Sequence, residues 1–576
     1  MANTELGAYT APVDDYNFLL KDVFGEDLVA SATNGAMTAA DAADVLEAAG
    51  EFASEVFAPL DRVGDLEGAT LIDGQVKTPA GFPEAYQQFV EAGWISAVAT
   101  EESGGDGLPS SIRNALSEFW CASNTAFSLA PGLSAGAINA IEAYGSDELK
   151  ATFLPNLISG VWTGTMNLTE PQAGSDLAAI RTMAHDNGDG SWAISGQKIF
   201  ITWGDHDVAE NIVHLVLSRT EGAPEGHRGL SLFVVPKFVL NDDGTPGKRN
   251  AVETVGVEHK LGIHASPTCQ LQYEGATGYL VGEVNQGLEA MFVMMNDSRI
   301  GIGVQGLGIA DRAYQKAKAY AAFRVQGAVM GRDENATISE FPDVRRMLLS
   351  MSSSISAMRA FSVFVGNLRD HAQEGNNHAL MEFCVPILKS WFTDEAVRIS
   401  SEAVQVHGGM GYVEETGVAQ HYRDARITPI YEGTNGIQAN DLVGRKLLRD
   451  NGKTAGEFMT LVQEQLQVLA GYEHPVAKRT VERMTRALEA SAKAQEALVT
   501  FAVNKDLRGA FAVAVPIQEM LSMIAGGFMH AKIISAALEH QTAESEMRLL
   551  EADFYGAHHL SRVHSLMEVV QAGEIV

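Results

Sequence analysis

Between residues 161 and 282 the apolar side chains recur at every second position, whereas on both sides they recur at every third and fourth. A strand turns successive side chains to opposite faces and a helix repeats every 3.6 residues, so a chain carrying both patterns in blocks reads as helical, then β, then helical. Ile199 to Thr202, Ile212 to Leu217 and Leu230 to Val235 are β-rich runs, and Thr268 to Tyr273 alternates. Asp186-Asn187-Gly188-Asp189-Gly190 marks a turn between two of them. Short strands at this spacing, without helices between them, predict a small antiparallel barrel or sandwich.

The fold class is therefore mostly α with a central β domain. At 576 residues the chain holds three or four packed units. The period changes divide it into 1–160, a helical domain; 161–282, the β domain; 283–450, a helical bundle; and 451–576, a further helical domain. Thr38 is placed to cap a helix over Ala39 to Phe57, and Pro83 to Ala92 carries a second pattern. Ala396, Ile399, Ala403 and Val406 form one apolar face, ended by Gly408-Gly409. In the tail, Leu461, Leu466, Leu469, Met520, Leu521 and Ile524 line the buried faces.

Lys and Arg number 41 against 73 Asp and Glu, a net charge of −32, which argues against a partner with a phosphate backbone and so against nucleic acid. The three cysteines, Cys121, Cys269 and Cys384, lie far apart with no zinc spacing, predicting no metal site and a reducing cytoplasm. The opening MANTELGAYTAPVDD is acidic and shows no secretory pattern. Phe511 to Met529 is apolar but interrupted by Pro516, Gln518 and Glu519, predicting a buried helix and no membrane span.

The chemistry centres on Ile430-Tyr431-Glu432-Gly433-Thr434-Asn435. Pro429 and Gly433 bracket one carboxylate on a short connection between two helical segments. Held at a pocket mouth in poor solvent, such a carboxylate has a raised pKa and serves as a general base near neutral pH. Leu168-Thr169-Glu170-Pro171-Gln172-Ala173-Gly174-Ser175-Asp176 is a small-residue loop able to bring backbone N–H groups to an oxygen-rich ligand. Gly301-Ile302-Gly303-Val304-Gln305-Gly306 fits a dinucleotide fingerprint but follows no strand, so it is read as part of a long helix whose glycines admit close packing or a ligand. Gly132-Leu133-Ser134-Ala135-Gly136 with His407-Gly408-Gly409-Met410 would suit a thioester hydrolase, yet no β-run precedes Ser134 and the oxyanion words come after it. His407 itself reads as a helix-end residue and Met291, Met294 and Met295 as core.

These words resemble the acyl-CoA dehydrogenase family over about residues 80 to 450. The match runs through the Glu101–Pro109 loop, Tyr144–Lys150, the 168–176 loop, Lys198-Ile199-Phe200-Ile201-Thr202-Trp203-Gly204, Gln405–Gly411 and Tyr431–Thr434. The resemblance implies FAD as cofactor and Glu432 as the base that takes the α-proton of an acyl-CoA while a hydride passes from Cβ to flavin N5. It implies FAD contacts at Met166, Leu168, Thr169, Gly174, Ser175, Phe200, Thr202 and Thr434, with Arg324, Gln405 and Gly409 reaching the FAD of a second subunit. Ser175, Arg299, Tyr431 and Gly433 fall to the substrate. Phe200 stands where the family has Trp, Trp203 where it has Asn, and Phe341, before Pro342-Asp343-Val344-Arg345-Arg346, where a His is usual. The opening Tyr9–Asp15, the Arg324-Val325-Gln326-Gly327 segment and the helical tail resemble the family's long subgroup. That subgroup implies a homodimer, an electron-transferring flavoprotein as acceptor, and the thioether substrate 3-(methylthio)propanoyl-CoA, with straight-chain acyl-CoAs as the alternative. A flavin-binding relative without dehydrogenase activity is the remaining reading, against which Glu432 stands.

Overall fold

The structure is a computed structural model that describes residues 7–574, apart from the side chains of Phe292, Val293, Met294 and Asn296. Met1–Leu6 of the opening and the Met294 side chain thus lie outside the described residues. The chain forms two units, each discontinuous in sequence. The barrel unit comprises Glu55–Leu108 and Ser123–Gly301, and the bundle unit Met1–Ser54, Pro109–Ala122 and Ile302–Val576.

The barrel unit is built on seven strands: β1 Trp162–Asn167, β2 Met183–Asp186, β3 Trp192–Thr202, β4 Asn211–Thr220, β5 Leu230–Pro236, β6 Val252–Val257 and β7 Thr268–Val281. β7 pairs with β3, β3 with β2, β2 with β4, β4 with β5 and β5 with β7, which closes a ring of five. β6 and β1 extend it as outer strands. The expected barrel is present, but it is not purely antiparallel, because β4 runs parallel to both β1 and β2. A parallel neighbour requires a crossover connection, and strand period carries no information about connections. A two-stranded hairpin, Thr70–Ile72 with Gln75–Lys77, also interrupts the expected helical N-terminal stretch. Helix α1, Thr125–Tyr144, packs on β1, and Gly164 permits this because a Cβ there would lie 2.3 Å from Ala137 Cβ.

The barrel interior is not wholly apolar. His206 and His214 are buried, His206 Nε2 lying 2.8 Å from Thr163 Oγ1 while its Nδ1 accepts from Val208 N–H. Asn167 Nδ2 donates to His214 Nδ1, and Tyr273 O–H donates to Asn167 Oδ1. An Nδ1 that accepts carries no proton, so both rings are neutral. Burial above all pushes each imidazole down to about 3, with the Lys237 charge assisting. The unfolded chain takes up these protons near pH 6.5 and the native barrel does not, so stability is fully present above that pH and is lost as pH falls toward 3. At pH 5 the expected loss is about 2 kcal/mol per histidine. Urea unfolding of the barrel unit at pH 7 and pH 5 measures it.

In the bundle unit, helix α2 (Gly287–Phe323) supplies its residues from Ile302 onward, joined by α3 Pro342–Asp370 and α4 Asn377–His407. Ala396, Ile399, Ala403 and Val406 of α4 are buried together, and Gly408 ends the helix at φ +60°. Short helices α5 Val418–Ala425 and α6 Asn435–Asp441 follow. In the tail, α7 Ala514–Glu539 and α8 Ser545–His558 pack on α3. The buried helix expected over Phe511–Met529 is broken at Val513, and Phe511 is exposed. α3 and α7 are long and apolar enough to cross a membrane, but 83% of each such window is buried in the protein, as core helices are. A hairpin, Val325–Ala328 with Asn335–Thr337, lies in the otherwise helical stretch after α2.

The N-terminal arm is pinned into this unit by charge. Arg359 of α3, 3% exposed, donates to Glu118 Oε1 at 2.5 Å and to Asp15 Oδ2 at 2.8 Å, and lies 3.1 Å from Asp311 Oδ1. Tyr16 O–H donates to the second oxygen of Glu118, Arg312 donates to Gly7 O, and Gln315 bonds Thr10. Thr38 caps the next helix, Ala39–Phe52, as part of a capping box with Asp41.

Candidate active site

Glu432 sits on a connection that its neighbours determine almost completely. α5 ends at Ala425, Thr428 O–H donates back to Ala425 O, and Pro429 cannot continue the helix. Asn435 N–H then reaches back to Pro429 O at 3.0 Å, closing a loop around Tyr431–Thr434. That closure requires left-handed backbone at Glu432 (φ +54°) and Gly433 (φ +87°). Glycine adopts this region without strain, and a glutamate does not. At Gly433 a Cβ would also come within 2.8 Å of Gln438 Nε2. Thr434 caps α6 by accepting from Ile437 N–H, which leaves its own hydroxyl proton to donate.

Both flanks of the carboxylate are tied down within the bundle unit. Tyr431 O–H donates to Gln305 Oε1 on α2, and the buried Gln305 Nε2 has no partner among the described residues. Burial pushes the Tyr431 hydroxyl well above its ordinary pKa, so it stays a donor. Asn435 is gripped from α4: Lys389 Nζ donates to its Oδ1 at 2.8 Å, and its Nδ2 donates to Thr393 Oγ1 and Asp394 Oδ1. Gly303, Gly306 and Gly308 are packing devices, whereas nothing lies within 4 Å of a Cβ built at Gly301. A Cβ at Gly303 would strike Leu388, at Gly306 the Phe392 carbonyl, and at Gly308 the Ala122 backbone. The helix reading of this segment thus holds, with close packing as its reason.

The remaining expected cofactor residues divide between the units. Met166, Leu168, Thr169, Gly174, Ser175, Phe200 and Thr202 all belong to the barrel unit, as does half-buried Arg299. Phe200, in the long strand β3, is 58% exposed with φ +58°. Trp203, three residues on, is buried instead, its indole N–H donating to Ala126 O of α1. Thr165 O–H donates to Thr202 O, and Ile199 N–H to Thr169 O, so strand and loop are joined. Gly174 and Ser175 are exposed, and nothing lies within 4 Å of a Cβ built at Gly174.

Two residues without an assigned role in the sequence reading hold this loop. Lys198, fully buried, donates to Leu168 O, Leu217 O and Glu170 Oε1, the last at 2.9 Å. Glu170 also accepts from Thr182 O–H and from the Arg181 and Thr182 amides. Burial opposes ionisation of Glu170, but Lys198 and these donors outweigh it and hold its carboxyl below the usual range. Burial lowers Lys198 to about 8, so the pair is charged at neutral pH. The available signal was a Lys inside a β-rich run, a place where charge is ordinarily avoided.

On the bundle unit, Arg324, Gln405 and Gly409 are exposed. The ends of α2 and α4 that carry them meet where Tyr320 stacks on His407 at 4.3 Å. His407 Nδ1 lies 2.7 Å from Ala403 O and burial lowers its pKa, so it is the helix-end residue expected. Ser134 is buried in the middle of α1, donating to Ala130 O and accepting from Gly164 N–H, and presents no nucleophile. Among the described residues no group of three His, Cys, Asp or Glu side chains could hold a metal.

Residues 40–161, 165–276 and 285–447 match the N-terminal, middle and C-terminal domains of acyl-CoA dehydrogenase, and 457–575 match the acetyl-CoA dehydrogenase C-terminal-like domain. The chain belongs to the acyl-CoA dehydrogenase family, oxidoreductases acting on acyl-CoA. It is 47% identical over 529 residues, 90% of each chain, to the 3-methylmercaptopropionyl-CoA dehydrogenase of Ruegeria pomeroyi. It is 37% identical to the broad-specificity linear acyl-CoA dehydrogenase FadE5 of Mycobacterium tuberculosis, across 69% of this chain and 68% of that one. The fold matches the Bacillus anthracis acyl-CoA dehydrogenase, solved complexed with FAD, at a TM-score of 0.74 over 92% of this chain and 88% of that one. At 22% identity that likeness speaks for the fold alone.

Proposed function

We propose that the chain is an FAD-dependent dehydrogenase of acyl-CoA thioesters with Glu432 as its base. The observation that carries this reading is the left-handed backbone at Glu432, held between a half-buried Tyr431 bonded to Gln305 and an Asn435 bonded to Lys389, Thr393 and Asp394. Strain of this kind persists only where the surroundings over-determine it, and it collects at functional sites. The thioester acidifies the α-proton, Glu432 removes it, and the rigid turn keeps the carboxylate in place while it does so. Phe200 fits the cofactor: an aromatic ring exposed near the end of a strand, on strained backbone, offers an apolar face to a planar ring system. Met166, Leu168, Thr169, Gly174, Ser175, Thr202 and Thr434 would complete the contacts, and FAD, when bound, accepts the two electrons that leave the acyl chain.

Lys198→Met leaves the Glu170 charge buried without its partner and frees the Leu168 carbonyl. The cost to the loop is about 3–5 kcal/mol. The purified variant is expected to lose flavin on gel filtration, read as a fall in the ratio of flavin to protein absorbance, and Glu170→Gln in the same chain to restore part of it.

The substrate we assign is 3-(methylthio)propanoyl-CoA, supported by 47% identity to a relative named for it. Straight-chain acyl-CoAs are the second reading, favoured by the FadE5 likeness. A thioether is nearly isosteric with a methylene chain, and a pocket separates such neighbours by about 1–3 kcal/mol. A kcat/KM series over straight-chain acyl-CoAs beside the methylthio compound decides it. A long-chain substrate that wins by more than about tenfold defeats the thioether reading and leaves the dehydrogenase reading intact.

The electron acceptor is an electron-transferring flavoprotein, and the enzyme is a cytoplasmic homodimer. Exposed Phe323, Arg324, Gln405, Gly409, Met410 and Tyr412 at the joined ends of α2 and α4 support the dimer. An FAD-loaded monomer in light scattering would overturn it. The division at 1–160, 161–282, 283–450 and 451–576 belongs to the same proposal, supported by where the four family matches begin and end.

A further inference from the structure

Where the tail packs on α3 and α4, the bundle unit forms a half-open cavity of about 350 Å³. Its wall includes Ser390, Trp391 and Asp394 of α4, Glu519 of α7, Tyr555 of α8, and Asn435 at the start of α6. Ser390 is 2% exposed and its hydroxyl has no partner among the described residues. A helical serine ordinarily bonds the carbonyl four residues back, but here Gln518 Nε2 donates to that carbonyl, Pro386 O, at 2.9 Å. The hydroxyl is left facing the cavity, and a buried polar group without a partner calls for one.

The charges around it do not cancel. Arg398 is spent on Glu395 at 2.5 Å and on Glu402 at 2.8 Å. Asp394 accepts from Asn435 on one oxygen, and Glu519 adds a second carboxylate to the wall. Asp394 lies at the exposed mouth, where partial desolvation, with the charges of Glu519 and Glu395 added, raises its carboxyl to about 6 against the Asn435 bond and Lys389. Arg562 stands exposed at the rim, and His559, lowered to about 4 by burial, is neutral. Trp391 and Tyr555 supply aromatic walls, brought close by Gly526, where a Cβ would lie 2.1 Å from Tyr555 Oη and 3.1 Å from Trp391. Carboxylates, a hydroxyl and aromatic faces together recognise an organic cation. No three metal-ligating side chains converge among the described residues, which disfavours a metal ion.

We propose that this cavity is a second ligand site for a small organic ammonium ion, coupled to the catalytic turn through Asn435. Asn435 joins the two places: Asp394 takes its Nδ2, Lys389 holds its Oδ1, and its own N–H closes the Glu432 loop on Pro429 O. An ammonium ion that engages Asp394 competes for the carboxylate that fixes Asn435, and so alters the hold on the turn. The coupling rests on the assignment of Glu432, whereas the site does not.

Titration calorimetry of the full-length holoenzyme with ethylammonium chloride tests the site, with potassium chloride at equal ionic strength and sodium acetate as controls. Saturable binding is expected for ethylammonium alone. Asp394→Asn and Glu519→Gln, both near-isosteric and checked for unchanged thermal unfolding, should each weaken it by about tenfold. Glu432→Gln should bind as the parent does, which separates this result from the fate of the base assignment. Absence of binding above the potassium control, equal binding by both cavity variants, or binding of acetate in place of ethylammonium overturns the site. Ethylammonium should also change kcat/KM for acyl-CoA in the parent and not in Asp394→Asn. Binding with unchanged kcat/KM overturns the coupling.

Discussion

Glu432→Gln is expected to lower turnover by on the order of 10²–10⁴-fold, the range that a positioned general base supplies. The amide keeps the volume and the hydrogen-bonding reach of the carboxylate but cannot take a proton. The turn itself is shaped by bonds that its neighbours make. Its closure comes from Asn435 N–H on Pro429 O, its left-handed residues from Gly433 and its neighbour, and its far end from the Thr434 cap. The variant should therefore stay folded, remain yellow and bind acyl-CoA, while substrate no longer bleaches the flavin absorbance under anaerobic conditions. Bleaching at the parental rate would remove Glu432 from the role of base. A colourless parent protein would remove the flavin reading altogether.

Arg359→Met should have the largest effect on stability. One guanidinium serves Glu118, Asp311 and Asp15, and two of those carboxylates are buried with it. Burial raises the carboxyl pKa of Glu118 and of Asp311, and the Arg359 charge does most to pull each back. Removing it strands acidic groups in a poorly solvated place, at a cost of about 3–5 kcal/mol. The bundle unit is expected to unfold at lower urea, and the arm around Asp15 and Tyr16 to become open to protease. Glu118→Gln alone, which lightens the acid load but keeps Tyr16 and Arg359 hydrogen-bonded, should cost less. Equal stability of Arg359→Met and the parent would show that the cluster is a solvated surface feature.

The parts that were legible in the sequence are those set by near neighbours. Pro429 and Gly433 bracket the Glu432 turn over a handful of residues, and the structure has that connection between α5 and α6, with the Thr434 cap added. Period two found β3, β4, β5 and β7, yet the parallel pairing of β4 with β1 and β2 depends on crossovers that no local pattern records. The first hairpin was legible in principle: Asp73-Gly74 is a two-residue turn of the kind that needs positive φ twice, and both residues have it. Its three-residue strands were too short for periodicity to show. The grip of Lys198 on Glu170 spans 28 residues and that of Lys389 on Asn435 spans 46. Residue type suggests a buried lysine in neither case, because lysines are ordinarily exposed and only the folded chain shows what pairs with them.

The discontinuity of the bundle unit has a consequence for how the protein is made. Every segment of the barrel unit has been synthesised once residue 301 is added, whereas Asp15 must wait for Arg359, 344 residues later. At about 5–20 residues per second the wait is roughly 20–70 s. Throughout that time Tyr16, Phe18, Leu19 and Leu20, all buried in the finished molecule, have only part of their final surroundings. The barrel can close early on the ribosome, and the arm, which leaves the tunnel before the barrel, is among the last to find its place. The order of folding is thus opposite to the order of synthesis at the N-terminus, and the arm is the segment for which a chaperone that shields apolar chain has the most to do.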